Sequence, residues 1–175
     1  MIESRLLAPL EAFYQRAGQA LPDIEIIEGE AMPEPHKSLL VHARDMTSTL
    51  ERFHGARCHL RTMQCHEAVE YARLVVLELD GNAKPVEFGA ITIHLQAFSE
   101  HAREHILQRL RPLGTILNEE KIGFVSCPQA FFRVVPDDLI CEALKISGES
   151  LLYGRRNRLS SETGETLAEI IEILP

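Results

Sequence analysis

The spacing of apolar residues predicts helices in the first third of the chain. Between residues 4 and 17 the apolar positions recur at helical spacing and Gly18 follows, which predicts an amphipathic helix that ends there. After a proline-containing loop, residues 38–55 predict two short helical pieces. Asp45 is placed to cap the second piece, and Gly55 is placed to end it.

From residue 57 onward the apolar pattern changes to that of strands. Residues 57–65 and 70–79 are strand-like, and the second segment is rich in valine and leucine. The following "DGNAKP" predicts a turn and "VEFGAITIHL" a return strand, so these segments form an antiparallel hairpin. "FVSCPQAFFRVV" predicts a further strand, and two segments flanking "SETGE" predict a closing hairpin.

Residues 99–114 return to helical spacing, with Ser99 as a cap and Gly114 as the residue that stops the helix. Adjacent strands with helices grouped elsewhere predict an α+β fold with an antiparallel sheet. The length of 175 residues suits one domain, residues 1–175, that is large enough to bury a core.

Composition and charge exclude several classes of protein. The formal net charge of −8 argues against a general binder of nucleic acid or anionic membranes, so we expect no nucleic-acid partner. The N-terminus lacks the apolar core of a signal peptide, and no segment approaches the roughly 18 apolar residues of a membrane span. The four cysteines form no C-x-x-C pair, which indicates reduced thiols in a cytoplasmic protein.

Two histidine-containing segments raise the question of zinc. Residues 101–105, "HAREH", fit the zinc-protease signature H-x-x-E-H. Zinc needs a third protein ligand, however, and no partner motif stands out, whereas a solvated amphipathic helix accounts for the same letters. The histidines and cysteines of residues 54–66 fit no familiar zinc spacing. We therefore expect no metal site, and no nucleotide-binding or nucleophile-elbow motif supports a cofactor.

Arginines provide the clearest candidate chemistry in this acidic chain. Arg73 opens an apolar strand, where an arginine is costly unless it is paired or faces a wet cavity. Either an ion pair with a neighbouring glutamate or a fork for a carboxylate ligand satisfies that condition. Arg155, Arg156 and Arg158 form a cluster in which the last two share a strand face. A solvated edge strand is the simplest structural explanation of this cluster.

Four blocks, which begin at Leu39, Arg73, Arg111 and Leu152 in this order, resemble the chorismate pyruvate-lyases of ubiquinone biosynthesis. "LLVHARDMTSTLERFHG" is similar to an apolar run that leads to an S/D-M-T motif and a short helix. "RLVVLELDGNAKPVEFGAITI" resembles the arginine-led strand, Asp-Gly turn and return strand, and "RPLGTIL" the Pro-Leu-Gly segment. "LYGRRNRLSSETGETLAEIIEILP" resembles the closing hairpin, in which G-R-R-x-R precedes an acidic residue and a terminal L-P.

The resemblance implies an antiparallel sheet with helices on one side and helical flaps over a buried ligand cavity. It also implies cofactor-free elimination of pyruvate from chorismate, which leaves 4-hydroxybenzoate or a related aromatic acid. By position, Arg73 matches the arginine that holds the ring carboxylate, Leu113 the leucine at the hydroxyl end of the product, and Met46 a methionine near the cavity. Chorismate carries two carboxylates, so a second cation is expected from the arginine cluster and is assigned to Arg156.

The expected catalytic glutamate falls where this chain has Ile171. We assign the role to Glu172, acting with Arg73, because a glutamate with a raised pKa in an enclosed pocket suits proton transfer. A one-residue offset turns a strand side chain to the opposite face, so Glu172 needs a bulge to face the cavity. Glu169, which shares the strand face of Ile171, is one alternative for the acid, and loss of the acid is another. Ala90 also stands where the resembled family carries arginine.

Two other functions stay open. One is a non-catalytic binding domain, since ligand-sensing domains of bacterial transcription regulators share this scaffold. We expect no helix-turn-helix domain before residue 1, and a sensor without such a domain would lack an output, which counts against this alternative. The other is a related enzyme with a different substrate. In each case the expected partner is a small aromatic carboxylate, and the oligomeric state stays unknown.

Overall fold

The structure, a computed structural model, describes residues 6–67, 70–148 and 150–175. The strands are β1 (Ile24–Ile27), β2 (Cys58–Glu67), β3 (Tyr71–Leu79), β4 (Pro85–Ile93), β5 (Phe124–Val134), β6 (Leu152–Ser161) and β7 (Thr166–Leu174). The α-helices are α1 (Ala8–Arg16), α2 (His36–Leu40), α3 (Met46–His54), α4 (Glu100–Leu107), α5 (Leu113–Glu119) and α6 (Asp138–Leu144). Two single 3-10 turns cover Gly29–Ala31 and Leu95–Ala97.

All seven strands form one sheet in the order β1-β5-β6-β7-β4-β3-β2. Every neighbouring pair is antiparallel. The predicted hairpins β3–β4 and β6–β7 are confirmed, and β4 pairs with β7, so the two hairpins meet in the middle of the sheet. The predicted α+β class is therefore confirmed.

Alternation along the central strands gives the sheet two apolar faces with different coverings. One face packs against α1 and α6, and its buried strand residues are Leu74, Val76, Phe88, Ala90, Ile171 and Ile173. Helices α2 and α3 contribute to a second cluster, and α4 and α5 to a third. We call α2 to α5 the flap helices. Helices on one side and helical flaps on the other are the arrangement that the resemblance implied.

The ends of α3 are fixed by its own sequence. Asp45 accepts a hydrogen bond from the Ser48 backbone N–H at 2.8 Å, as expected of a cap. Gly55 ends the helix with φ of 65°, a left-handed conformation that glycine adopts at little cost. Both sequence predictions for this helix are confirmed.

The single helix predicted over residues 99–114 is wrong. Helix α4 begins after Ser99, as predicted, but ends at Leu107, and Arg109 adopts a φ of 60°. Pro112 disfavours helical backbone at the residue before it, and α5 starts directly after this proline. Gly114 therefore lies near the beginning of a second helix instead of stopping the first.

Other sequence predictions need smaller corrections. Strand β1 and helix α6 were not predicted, because each is short and lies between turn-forming residues. Strand β6 lies between β5 and β7, so the arginine cluster is not on an edge strand. Residues 4 and 5 of the first predicted helix lie outside the described residues. Within the described part of the chain, no helix is long and apolar enough to cross a membrane.

Gly154 on β6 is the tightest glycine position of the sheet. A Cβ placed there would lie 2.5 Å from the Glu172 carbonyl oxygen and 2.5 Å from the Phe132 ring. We expect Gly154→Ala to lower the free energy of unfolding by about 3 kcal/mol or more, because backbone and a buried ring must both move. Urea unfolding measures this loss. Gly148→Ala is the control, since its added Cβ meets only ordinary contacts, and an equal loss in both variants would contradict the expectation.

Candidate functional site

A cavity lies between the sheet and the flap helices. Its volume is about 60 Å³, enough for roughly four to six waters. It is lined by Asp45, Met46 and Thr47 from the start of α3 and by Pro112, Leu113 and Gly114 from the start of α5. The sheet contributes Leu60, Arg73, Val75, Leu77, Glu87, Gly89, Ile91, Asn157, Leu159, Ile170 and Glu172. The lining is thus mainly apolar, with a few polar side chains on the sheet.

The register between β3 and β4 decides which residues of β4 face the cavity. Leu77 pairs with Glu87 and Val75 with Gly89 in a continuous ladder, and the bulge at Val86 comes only after this stretch, towards the turn. Cross-strand partners share a face of a sheet. The register therefore places the Glu87 side chain beside that of Leu77, on the cavity side.

Arg73 is a buried cation without a carboxylate partner among the described residues. Only 1% of its surface is exposed, and none of the ion pairs in the described part of the chain includes it. Its Nη1 donates a long hydrogen bond of 3.4 Å to the Ile106 carbonyl on α4, and its Nε has no hydrogen-bond partner. The guanidinium carbon lies 5.9 Å from the centre of the Tyr71 ring.

Burial lowers the pKa of Arg73, which means that the fold disfavours its charged form relative to the unfolded chain. Arginine nevertheless stays protonated at neutral pH. The sequence left two explanations of this residue open, and the described residues supply no glutamate for the ion-pair explanation. The arrangement provides what an anionic ligand would need: free guanidinium N–H groups in a dry site.

Arg155, in contrast, has a hydrogen-bond partner within the protein for each of its three side-chain nitrogens. It is paired with Glu172 through Nε, and both side chains are buried. Its Nη1 donates to the carbonyl oxygens of Leu40 at 3.1 Å and His42 at 2.9 Å, and its Nη2 donates to that of Arg44 at 3.1 Å. The pair therefore attaches the segment between α2 and α3 to the sheet. Burial and the nearby Arg155 charge lower the pKa of His42 to about 4, so this histidine is neutral.

Glu87 is a second buried carboxyl group at the cavity, and sequence reasoning missed it. Gly89 leaves it room, since a Cβ at that position would lie 3.0 Å from Glu87 Oε1. Burial, and then the charge of Glu172, raise the pKa of Glu87 well above its usual value, while Arg155 acts in the opposite direction. The Oε2 atom has no hydrogen-bond partner in the described residues. Burial and the Glu172 charge thus favour the protonated form of Glu87, which can donate a proton or a hydrogen bond.

The structure brings together four of the five residues assigned from the sequence. Met46, Arg73, Leu113 and Glu172 all line the cavity. Arg156 does not, and its assignment to the ligand site is corrected. Because neighbouring strand residues point to opposite faces, Arg156 lies on the far side of the sheet.

On that far face, Arg156 Nη2 lies 2.7 Å from Glu169 Oε1. Glu169 is thereby excluded as the cavity acid. Glu172 pairs with Gly89 in a continuous β4–β7 ladder, so it faces the cavity without the bulge that the sequence seemed to demand. Ala90 is buried in the core with α1 and α6, and its difference from the resembled family does not touch the cavity.

A signal for Glu87 was present in the sequence. It is the one charged residue in the strand "PVEFGAITI", all of whose positions are buried. A buried carboxyl group lowers the stability of the fold unless it is paired or serves a function. Asn157, which donates to Ser126 Oγ at 3.0 Å, also lines the cavity. Sequence reasoning also missed Asn157 as a cavity residue. The strand alternation that turns Arg156 to the far face turns Asn157 to the cavity.

Known structures share this fold at low sequence identity. The effector domain of PhnF from Mycobacterium smegmatis is 10% identical, covers 74% of this chain and 87% of its own, and superposes with a TM-score of 0.54. A candidate transcriptional regulator, YydK from Bacillus subtilis, is 9% identical over 98% of this chain and 93% of its own, with a TM-score of 0.54. The ligand-binding domain of a candidate GntR-family transcriptional regulator from Bordetella bronchiseptica is 13% identical over 69% and 83%, with a TM-score of 0.50.

These matches establish the chorismate lyase-like fold. Comparison with protein-family models gives no match, and neither does comparison with curated proteins. The expectation that nucleic acid is not a partner is wrong, because the same fold occurs in transcriptional regulators. Net charge alone, on which that expectation rested, describes the surface of a domain and not the assembly in which the domain works.

The unpaired charge of Arg73 leads to a prediction about stability. Arg73→Met keeps the aliphatic stem and removes a buried charge, so we expect the free energy of unfolding without ligand to rise by about 1 kcal/mol or more. Arg61→Met is the matched control: Arg61 Nε lies 2.8 Å from Glu78 Oε1, and its loss leaves that buried carboxylate poorly paired. Urea unfolding of both variants tests the difference. A destabilised Arg73→Met protein would mean that Arg73 has a structural partner.

The raised pKa of Glu87 predicts how stability changes with pH. An acid whose pKa is raised by folding costs stability as pH rises above its unfolded value, here 4.5, towards the folded pKa. We therefore expect Glu87→Gln to become increasingly stable relative to wild type as pH rises from about 4.5. Urea midpoints between pH 4 and pH 8 measure this trend. Glu142→Gln serves as the exposed control, and a difference between Glu87→Gln and wild type that is independent of pH would contradict the assignment.

Proposed function

We propose that this chain is a binding domain for a small carboxylate with one six-membered ring. The single observation that carries the proposal is Arg73, a buried guanidinium at the cavity that lacks a carboxylate partner among the described residues. A ligand carboxylate would supply the missing anion, and a planar guanidinium fork matches it in geometry.

The size of the cavity limits the ligand to a small molecule. Its volume of about 60 Å³ is below the roughly 150 Å³ of an apolar cavity that holds benzene, so a ligand of one ring requires the flap helices to move outward. Val75, Ile91 and Leu159 provide apolar walls for such a ring. The first residues of α3 and α5 cover the cavity on the side opposite the sheet, so ligand entry requires movement of the flap helices.

The charges at the cavity support a single carboxylate. Arg155 has its donors engaged by Glu172 and by backbone carbonyl groups, and Arg156 lies on the far face. Arg158 also lies on that face, where it donates to Gln129. Arg73 is thus the one arginine among the described residues that faces the cavity with donors to spare. Glu87, as a neutral acid, is suited to donate a hydrogen bond to a second polar group of the ligand.

The similar structures support a sensory role for this binding. One is named an effector domain and another the ligand-binding domain of a transcriptional regulator. By analogy we infer that the ligand acts as an effector and that the chain works in an assembly with DNA. With a net charge of −8, the chain is poorly suited to broad phosphate contact of its own.

Cofactor-free elimination of pyruvate from chorismate is the second candidate function. The observation that favours it is the pair of carboxyl groups at the cavity. Arg155 holds Glu172 as an ion pair, and burial raises the pKa of Glu87, so one group is suited to accept a proton and the other to donate one. Against it, the second carboxylate of chorismate meets no uncommitted arginine in the described residues.

Calorimetric titration tests the proposal with benzoate, 4-hydroxybenzoate and the uncharged analogue benzamide. We expect the two acids to bind and benzamide to bind much more weakly. Arg73→Met should weaken acid binding by about 10- to 150-fold, because a hydrogen bond to a charged group contributes roughly 1.5–3 kcal/mol. Arg158→Met, altered on the opposite face, should bind like wild type.

Equal affinity for benzoate and benzamide, or binding that survives Arg73→Met, would overturn the proposal. Chorismate is titrated in the same series while pyruvate is measured enzymatically. Stoichiometric pyruvate that disappears in Glu87→Gln or Arg73→Met would establish the lyase instead. Binding without pyruvate release would support the sensory function.

A further inference from the structure

Two histidines and a glutamate converge on the outer surface of the flap helices. His101 and His105 lie one turn apart on α4, and Glu120 directly follows the last residue of α5. One potential ligand atom from each of the three residues lies within 4.8 Å of the other two. Within the part of the chain that the structure describes, this is the one such group of metal-ligand side chains.

The three side chains point towards a common position. Glu120 Oε1 lies 2.8 Å from His105 Nδ1 and 3.3 Å from His101 Nε2, and the two imidazole rings are 4.4 Å apart between centres. A tetrahedral zinc ion with bonds of about 2.0–2.2 Å holds its ligand atoms about 3.3 Å from one another. The His101–Glu120 separation of 3.3 Å already matches this value, and the His105–Glu120 separation of 2.8 Å would widen slightly when the ion enters between the two atoms.

A hydrogen-bonded ion pair explains these contacts less well than a shared cation. The His105 Nδ1 atom is buried, and despite its short distance to Glu120 it has no hydrogen-bond partner, because the direction of the contact does not suit one. A buried ring nitrogen without a partner is rare and costly. A metal ion between the nitrogen and the carboxylate would satisfy both.

The donor set is that of a zinc site with an open position. Two imidazole nitrogens and one carboxylate oxygen leave the fourth tetrahedral position to water. The segment "HAREH" contains two potential ligands, and no third ligand was evident from the sequence. The chain turns between α4 and α5, and that turn brings Glu120 back to the two histidines. Glu104, the remaining acidic residue of the motif, is not one of the three converging side chains.

We propose that His101, His105 and Glu120 bind a divalent cation of the zinc type that joins α4 to α5. Both helices also contact the ligand site. Ile106 on α4 accepts the hydrogen bond from Arg73, and Leu113 and Gly114 at the start of α5 line the cavity. A cation that joins them restricts the movement of the flap helices, and its presence stabilises the folded state by mass action.

Titration of the tag-free, metal-free protein with zinc and with cobalt tests the site. We expect one equivalent to bind, the thermal midpoint to rise, and cobalt to give a tetrahedral spectrum without a thiolate band. His101→Ala and Glu120→Gln should each weaken binding by at least about tenfold, since even loss of an outer-shell partner costs 10- to 100-fold. Glu104→Gln is the matched control and should bind zinc like wild type.

The exposed Cys127 makes thiolate binding the main competing outcome. A cobalt–thiolate band, binding that is unchanged in His101→Ala and Glu120→Gln, or no binding of one equivalent would each overturn the proposal. His101→Ala alters an exposed side chain, so circular dichroism is expected to show an intact fold. The test does not depend on the identity of the cavity ligand.

Discussion

The buried ion pair between Arg155 and Glu172 is the interaction on which the site depends. Two charges removed from water are stable only when their remaining donors and acceptors are satisfied. Here the arginine meets that requirement with the carbonyl oxygens of Leu40, His42 and Arg44, none of which belongs to the sheet. These contacts satisfy the charge and also hold the segment that leads to Asp45 and α3. They therefore position the residues at the start of α3 that line the cavity.

Arg73 and Arg155 show how differently the same side chain is accommodated in one protein. Both are fully buried, but Arg155 has four partners, one of them a carboxylate, whereas Arg73 has a long contact to a carbonyl group and the Tyr71 ring. A natural protein retains an unpaired buried charge against its cost in stability when binding requires it. Glu87 fits the same pattern, since burial favours the protonated form of its carboxyl group, which is able to donate.

The flap helices connect these features. The cavity lies beneath the starts of α3 and α5, Arg73 reaches the backbone of α4, and the histidines of α4 meet Glu120 at the far end of α5. A ligand in the cavity and a cation on the outer surface would therefore act on the same helices. Such sharing of one movable element is the physical basis on which two sites become coupled.

The sequence by itself determined the period of most elements and several of their ends. Strand-like segments on either side of a turn predicted the hairpins, and Asp45 and Gly55 predicted the ends of α3. These signals act between residues that are neighbours along the chain. It also identified Arg73, since a charge in an apolar strand is visible without coordinates.

Only the tertiary structure decided which side chains meet. The β3–β4 register turns Glu87 to the cavity, the β4–β7 register turns Glu172 to it, and the β6–β7 register turns Arg156 away. The turn after α4 brings Glu120 to His105. Each of these outcomes depends on pairing between distant segments, where a shift of one residue reverses the face. Local composition carries no record of such a shift, so the ladder hydrogen bonds and the packing of the flap helices alone fixed the chemistry of the site.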